Sequence, residues 1–231
     1  GEPMIPQALL FDLDGVLTDT ARFHFEAWDA LCRAHGLQFD RQVNERLKGV
    51  SRRRSLTIIL AHNGLSAADL PEERLHAMEE EKNALYRQML SGMTAADVLP
   101  GILPLLTAAR ASGLRLAVAS ASRNAPEVLS RLELTGRFDY IADAAAVPPK
   151  PDPAIFLLCA AGVGCPPGRC VGIEDASAGI AAIHSAGMRA VGIAVAPPED
   201  LQDAALCCPD IPLSSTAQLS LPVLLSALSA L

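Results

Sequence analysis

The chain has 231 residues, 50% of them hydrophobic and 19% charged, which is enough apolar material for a real core and argues against disorder. Lysine and arginine total 19 against 26 acidic residues, a net charge of −7, so a general nucleic-acid or acidic-membrane surface is excluded and an anionic substrate would need a local basic pocket. No apolar run is long enough to span a membrane, and six cysteines without C-x-x-C spacing read as free thiols of a reducing compartment; a cytoplasmic protein is expected.

In chain order, residues 8–11 are a short apolar run that reads as a buried strand, followed at once by Asp12-Leu13-Asp14-Gly15. Side chains two apart on a strand share a face, and Gly15 lets backbone come close to a ligand. Taken alone, Asp12 could cap a helix and Asp14 could serve a turn. From residue 20 the pattern is helical. Phe25, Trp28, Leu31 and Cys32 share one face up to His35-Gly36, and a short helical piece spans 44–47. Ser51 can cap a third helix closed by Asn63-Gly64, and Pro71 opens a longer fourth. No strand is expected in this stretch. Residues 19–94 are therefore expected to form an all-helical cap domain inserted into a core made of 1–18 and 95–231. Ahead of Met4, residues 1–3 read as a remnant of expression cloning.

Beyond residue 98 strands and helices alternate. Strands are expected at 114–119, 138–142, 170–173 and 190–193, with a weak one near Ile211. Helices are expected before Ser112-Gly113, at 124–134, 153–162 and 177–186, and from Pro222 onward. Such alternation means βα units and a parallel sheet, a Rossmann-like α/β core. In such sheets ligands gather beyond the carboxyl ends of the strands. That rule brings Asp12, Asp14, Ser120, Glu174 and Asp175 to one edge, with Lys150 in a nearby loop.

Four carboxylates at one edge would repel, and a hard divalent cation with oxygen ligands resolves the conflict; Mg2+ suits such a set. Glu174-Asp175 also has a plainer reading, as the acidic start of a helix. Ser120 and the Ser122-Arg123-Asn124 turn offer hydroxyls and backbone N–H groups to an anion, although capping would explain Ser122 and Asn124 too. Of 19 basic residues only Lys48, Lys82 and Lys150 are lysine, and Lys150 lies between Pro149 and Pro151, where a stiff loop limits the entropy lost in placing its ammonium.

In order along the chain, Asp12-Leu13-Asp14, Ser120, Lys150 and Glu174-Asp175 resemble the four motifs of the haloacid dehalogenase superfamily. The resemblance implies that Asp12 is a nucleophile that becomes an aspartyl phosphate, and that Asp14 is the acid/base. It also implies that Ser120 and Lys150 bind phosphate. Mg2+ would be held by Asp12, the Asp14 carbonyl and Asp175, with Glu174 close by. Within that superfamily, Thr20-Ala21, His24, Ala27-Trp28, Leu47-Lys48-Gly49-Val50-Ser51-Arg52, and Ala119-Ser120-Ala121-Ser122 followed by Asn124 resemble the β-phosphoglucomutases, and the likeness fades after about residue 198. Arg123 departs from it, where lysine is usual. This second resemblance implies that His24 links Asp14 to Lys48 and that Arg52 binds the phosphate not being transferred. It places Ser122, Arg123, Asn124 and Lys82 near the sugar phosphate. Trp28, Ala121 and the Gly49-Val50-Ser51 turn would line the substrate site.

The expected function is interconversion of β-glucose 1-phosphate and glucose 6-phosphate through a β-glucose 1,6-bisphosphate intermediate. A monomer is expected, with sugar phosphates as its partners and neither nucleic acid nor membrane. A sugar-phosphate phosphatase is the alternative, because the core motifs are shared, and a non-catalytic phosphosugar-binding protein comes third.

Overall fold

The protein is described from a computed structural model, which covers residues 4–197 and 204–231; the extension at 1–3 and the point near 198 where the likeness fades lie outside these described residues. The chain divides into two compact units: Gly1–Asp19 with Thr94–Leu231, and Thr20–Met93.

The first unit is built on six parallel strands in the order β3-β2-β1-β4-β5-β6. These are β1 (Ala8–Phe11), β2 (Arg115–Val118), β3 (Tyr140–Ile141), β4 (Cys170–Glu174), β5 (Arg189–Ile193) and β6 (Ile211–Leu213). All four β1 residues are buried, as a central parallel strand covered on both faces must be. Alternation sorts its side chains: Ala8 and Leu10 join Ile155, Phe156, Ile180 and Ile183 in one apolar cluster, while Leu9 and Phe11 are buried on the opposite face. That cluster is where α7 (Ala154–Val163) packs on β1 and β2, and where α8 (Ser177–Ser185) packs on β4 and β5.

From β1 the chain winds one way to β2 and β3, then returns to β4 beside β1 and winds the other way. The reversal lies between β1 and β4, and the register brings Phe11 level with Val118 and Ile173, so three carboxyl ends finish at one height. Such a switch point opens the crevice in which open α/β sheets bind ligands.

After β1 the backbone coils tightly. Val16 and Leu17 donate to the Leu13 carbonyl, and the Gly15 N–H donates to that of Thr18 at 2.8 Å. At the place where the chain leaves this unit and re-enters it, the Thr18 hydroxyl donates to the Asp97 carbonyl at 2.7 Å and the Leu99 N–H donates to that of Leu17 at 2.9 Å.

Several elements are shorter than the sequence suggests. The helix expected over 124–134 is α6 (Ala125–Arg131), and the strand expected over 138–142 shrinks to the two residues of β3. Glu133 explains the first: it adopts a φ of 58°, which no helix allows. The second lies at the sheet edge, where only one neighbour supplies partners. The short α9 (Ala204–Cys207) was not anticipated.

At the other end of the sheet, Asp210 accepts from the Ala190 N–H at 2.7 Å, from His184 Nε2 at 3.0 Å and from Arg189 at 3.2 Å. Burial alone would raise its carboxyl, but these three donors outweigh it and hold it below the usual range. The folded carboxylate therefore adds stability above its unfolded pKa of about 3.9, and that stability is lost as pH falls through the lower folded value. Asp210→Asn is expected to melt earlier than the parent at neutral pH, with the two midpoints converging below about pH 4. Equal midpoints at pH 7 would show that the carboxylate contributes nothing.

The second unit contains α1 (Ala21–Ala34), α2 (Arg41–Glu45), α3 (Arg52–His62) and α4 (Glu72–Leu90). Asp40 caps α2, accepting from the Val43 N–H at 2.9 Å, so this helix starts earlier than the sequence pattern suggests. Ser51 caps α3 as expected, accepting from the Arg54 N–H at 3.2 Å. Trp28, Leu31, Leu56, Ile59, Leu75 and Met78 form the centre of its core, and α1 and α3 both pack on α4. Among the described residues no helix is long and apolar enough to cross a membrane.

Candidate active site

The site grows from the end of β1. Asp12 is 5% exposed, and its N–H donates to the Ile173 carbonyl at 3.0 Å, which continues the ladder toward β4 and fixes the carboxylate at the switch point. Lys150 reaches it from the loop before α7, where the Lys150–Pro151 peptide is cis. Its ammonium is buried at 3% exposure and donates to Asp12 Oδ1 at 3.1 Å, Glu174 Oε1 at 2.5 Å and the Ala119 carbonyl at 2.8 Å. The three donors of an ammonium are thereby all used. Phe156 lies beneath it, with its ring centroid 5.3 Å from Nζ.

Glu174, at the end of β4, is fully buried. Its second oxygen, Oε2, accepts from the N–H groups of Asp175 at 3.0 Å and Ala176 at 3.2 Å. One carboxylate thus holds Lys150 and shapes the turn into α8. Gly179 makes room for it, since a Cβ there would collide with the Glu174 carboxyl. Gly15, at a φ of +79°, does the same for Asp175: its Cβ would strike that carboxylate.

Asp12, Glu174 and Asp175 each offer an oxygen, and the three lie within 4.8 Å of one another, among the described residues a group able to hold a metal ion. Asp14, partly exposed, stands outside that group. Burial pushes the Asp12 carboxyl well above its ordinary range. Glu174 adds to the push, Lys150 opposes it, and Asp175 and Asp14 add further. For Lys150, burial would lower the ammonium, but Asp12 and Glu174 outweigh it and keep it charged. The site therefore carries more negative charge than one lysine neutralises. Its donors are all oxygen, so a hard divalent cation fits the residues present.

Ser120 follows β2 and is 1% exposed; its Oγ accepts from the Ser122 N–H at 3.1 Å, and Ser122 Oγ accepts from the Asn124 N–H at 3.1 Å. Ala121, Ser122 and Asn124 are half-buried and Arg123 is exposed, on the turn that leads into α6. The structure thus brings Asp12, Lys150, Glu174 and Asp175 together and puts the Ser120 turn after the strand beside them.

A profile of the haloacid dehalogenase-like hydrolases matches residues 6–187. The chain belongs to that family. Among relatives, the β-phosphoglucomutase of Bacillus subtilis is 45% identical over 188 residues, 81% of this chain and 83% of that one. The fructose-1-phosphate phosphatase of Escherichia coli is 35% identical over 186 residues, 80% of this chain and 95% of that protein. The crystal structure of a β-phosphoglucomutase from Clostridium difficile superposes with a TM-score of 0.89 at 39% identity, covering 98% of each chain.

In this hydrolase-family member the remaining candidate residues lie in the helical unit. His24 stacks on Tyr86 with centroids 4.1 Å apart and planes 14° apart. Its Nδ1 is 2.9 Å from Lys82 Nζ. An ammonium only donates, so Nδ1 accepts and the ring proton is on Nε2. Lys82 is 4% exposed, with Nζ 5.1 Å from the Trp28 ring and 4.8 Å from that of Tyr86. Lys48 is exposed in the turn after α2, and Gly49, at a φ of 70°, with Val50 leads to the Ser51 cap and Arg52.

The sequence reading missed Tyr86 beside His24, the hold of Glu174 on Lys150, and the acids that face the arginine run of α3. A signal for the last was present. Leu75, Met78, Glu79, Lys82, Tyr86 and Leu90 follow helical spacing, and all are buried, so two charged residues stand on the apolar face of α4. Charges in that position need partners.

Proposed function

We propose that the protein is a Mg2+-dependent β-phosphoglucomutase that interconverts β-D-glucose 1-phosphate and glucose 6-phosphate. The observation that supports it most is the buried Asp12–Lys150–Glu174 constellation beside Asp175, in a chain 45% identical to the Bacillus subtilis enzyme of that name. Phosphoryl transfer asks mainly for positioning and charge neutralisation, which these groups supply.

In this reading phospho-Asp12 gives its phosphoryl group to the 6-hydroxyl of glucose 1-phosphate. The O–P bond to Asp12 breaks as the sugar O–P bond forms, and Asp14 takes the hydroxyl proton. The resulting β-glucose 1,6-bisphosphate turns round. The Asp12 carboxylate then attacks the phosphorus at the 1-position, and Asp14 returns the proton to the leaving oxygen. Lys150 and Ser120 hold the phosphoryl oxygens throughout. Asp12, Asp175 and the Asp14 carbonyl would hold Mg2+, which neutralises charge between the carboxylates and the phosphoryl group. Ser122, Arg123 and Asn124 contact the sugar phosphate with Lys82 nearby, His24 links Asp14 to Lys48, and Arg52 holds the phosphate that is not reacting.

Similarity to the Escherichia coli fructose-1-phosphate phosphatase at 35% identity supports one other reading, hydrolysis of a sugar phosphate. Arg52 separates them. A mutase must hold a second phosphate, and losing a charge-assisted contact to it costs about 1.5–3 kcal/mol, roughly ten- to a hundredfold in rate. Arg52→Ala is expected to slow glucose 1-phosphate conversion by that factor while largely sparing phosphoryl transfer from acetyl phosphate, which has one phosphate. Equal small losses with both donors, or free phosphate as the main product of the parent enzyme, would favour the phosphatase.

A further inference from the structure

The candidate metal group and the ammonium of Lys150 draw on the same acids. Asp12, Glu174 and Asp175 make up that group, and two of the three already accept from Lys150: Asp12 Oδ1 at 3.1 Å and Glu174 Oε1 at 2.5 Å. Glu174 is committed further, because its Oε2 accepts from the Asp175 and Ala176 N–H groups. Asp12, Lys150 and Glu174 are all buried, so water screens their charges little. Phe156 lies under the ammonium and adds the negative face of a ring without adding an anion.

Such a site is charge-paired before any metal arrives. A divalent cation that takes up the same carboxylates meets an ammonium held against two of them, and like charges sharing a buried acid repel. The lysine also has another attachment. Its third hydrogen bond goes to the Ala119 carbonyl at 2.8 Å, one residue before Ser120, so the ammonium joins the acids to the strand end that carries the Ser120 turn. A phosphoryl group seated at that turn brings anionic oxygens to an ammonium whose present anions are carboxylates.

We propose that Lys150 is a resident counter-ion that competes with the divalent cation for Asp12 and Glu174, so that metal binds weakly to the substrate-free site and firmly once a phosphoryl group draws off the ammonium's charge. The inference rests on the proposed roles of Mg2+ and of Lys150 as a phosphate ligand. Metal and phosphate then load together, and the coupling is reciprocal: whatever phosphate does for metal affinity, metal does for phosphate affinity. The opposite arrangement, in which Lys150 holds Asp12 and Glu174 in place for the metal, predicts the opposite sign on removing the ammonium.

Mg2+ binding by the substrate-free protein is read from the rise of its denaturant midpoint with Mg2+ concentration, and Mn2+ binding from the loss of the free-ion paramagnetic signal. Lys150→Met is expected to bind both ions about tenfold more tightly than the parent. Lys150→Gln, which keeps a neutral N–H donor among the buried acceptors, is expected to do the same and covers a methionine variant too unstable to measure. Inorganic phosphate is expected to tighten Mg2+ binding about tenfold in the parent and less than about threefold in Lys150→Gln. Ion affinities equal to or below the parent's in the folded variants overturn the proposal. So does a phosphate effect as large in Lys150→Gln as in the parent. Both results leave the mutase reading intact as long as the parent converts β-glucose 1-phosphate only with Mg2+. A parent that gains no stability from Mg2+ with or without phosphate, and turns over without it, removes the metal from that reading and this inference with it.

Discussion

Asp12→Asn is expected to abolish turnover, by on the order of 10^4-fold or more, because an amide is neither anionic nor able to form the acyl phosphate. The fold should survive the change. In the parent the Asp12 carboxyl is buried at 5% exposure, and burial together with Glu174, Asp175 and Asp14 works against its charge. Removing that charge relieves repulsion while Lys150 keeps its stronger partner Glu174 at 2.5 Å. The unfolding midpoint without divalent cation should therefore stay within a few degrees of the parent or rise. Labelled bisphosphate checks the chemistry directly. The parent should retain acid-stable, hydroxylamine-sensitive label, and the variant should retain none. Label of that kind on the Asp12→Asn protein would remove Asp12 from the nucleophile's role.

Lys150→Met should be the most destabilising single change in the core unit, and inactive as well. The lysine ammonium is the counter-charge for two buried carboxylates, Asp12 and Glu174, and both are left without it. Breaking a buried pair from one side costs about 3–5 kcal/mol. Denaturant unfolding in the absence of divalent cation measures it. A second substitution gives the cause: Lys150→Met with Glu174→Gln should recover part of the loss, since the fully buried carboxylate is then neutral. If the double variant is less stable than the parent by the full sum of the separate losses, the charge argument is wrong and packing of the lysine stem on Phe156 is the cause.

The catalytic edge was legible because its signals are local. A buried run ending in Asp-x-Asp-Gly, a lone lysine between prolines and an acid pair closing a strand each read from a few residues, and the switch-point rule assembled them. The parallel sheet followed from the alternation of patterns and is the sheet observed. Pairing was not legible. Glu174 stands in the metal-capable group as expected, but it also spends one oxygen on Lys150 and the other on two backbone N–H groups, and nothing in the letters Glu-Asp encodes that. Tyr86 and Asn83 lie about one turn from Lys82 or beside it on α4, and they meet His24 and Arg52, whose positions come from tertiary packing. Helix ends also erred, as at Glu133, where a positive φ stops α6 although no glycine marks the place.

The tie between Thr18 and Asp97 and between Leu17 and Leu99 has a consequence for how such a chain can change. These bonds clasp the two chain segments at the root of an insertion running from Thr20 to Met93, so the core sees a long excursion whose ends are already closed. Once ends are pinned, lengthening the excursion adds only about 0.6 kcal/mol per doubling of its length. The helical unit has its own apolar centre around Trp28, Leu56 and Met78. Size, sequence and even architecture of the insertion can thus drift with little penalty to the sheet that holds Asp12. That makes the clasp a socket: the sheet that carries Asp12 stays fixed on one side of it, while the insertion on the other can be exchanged.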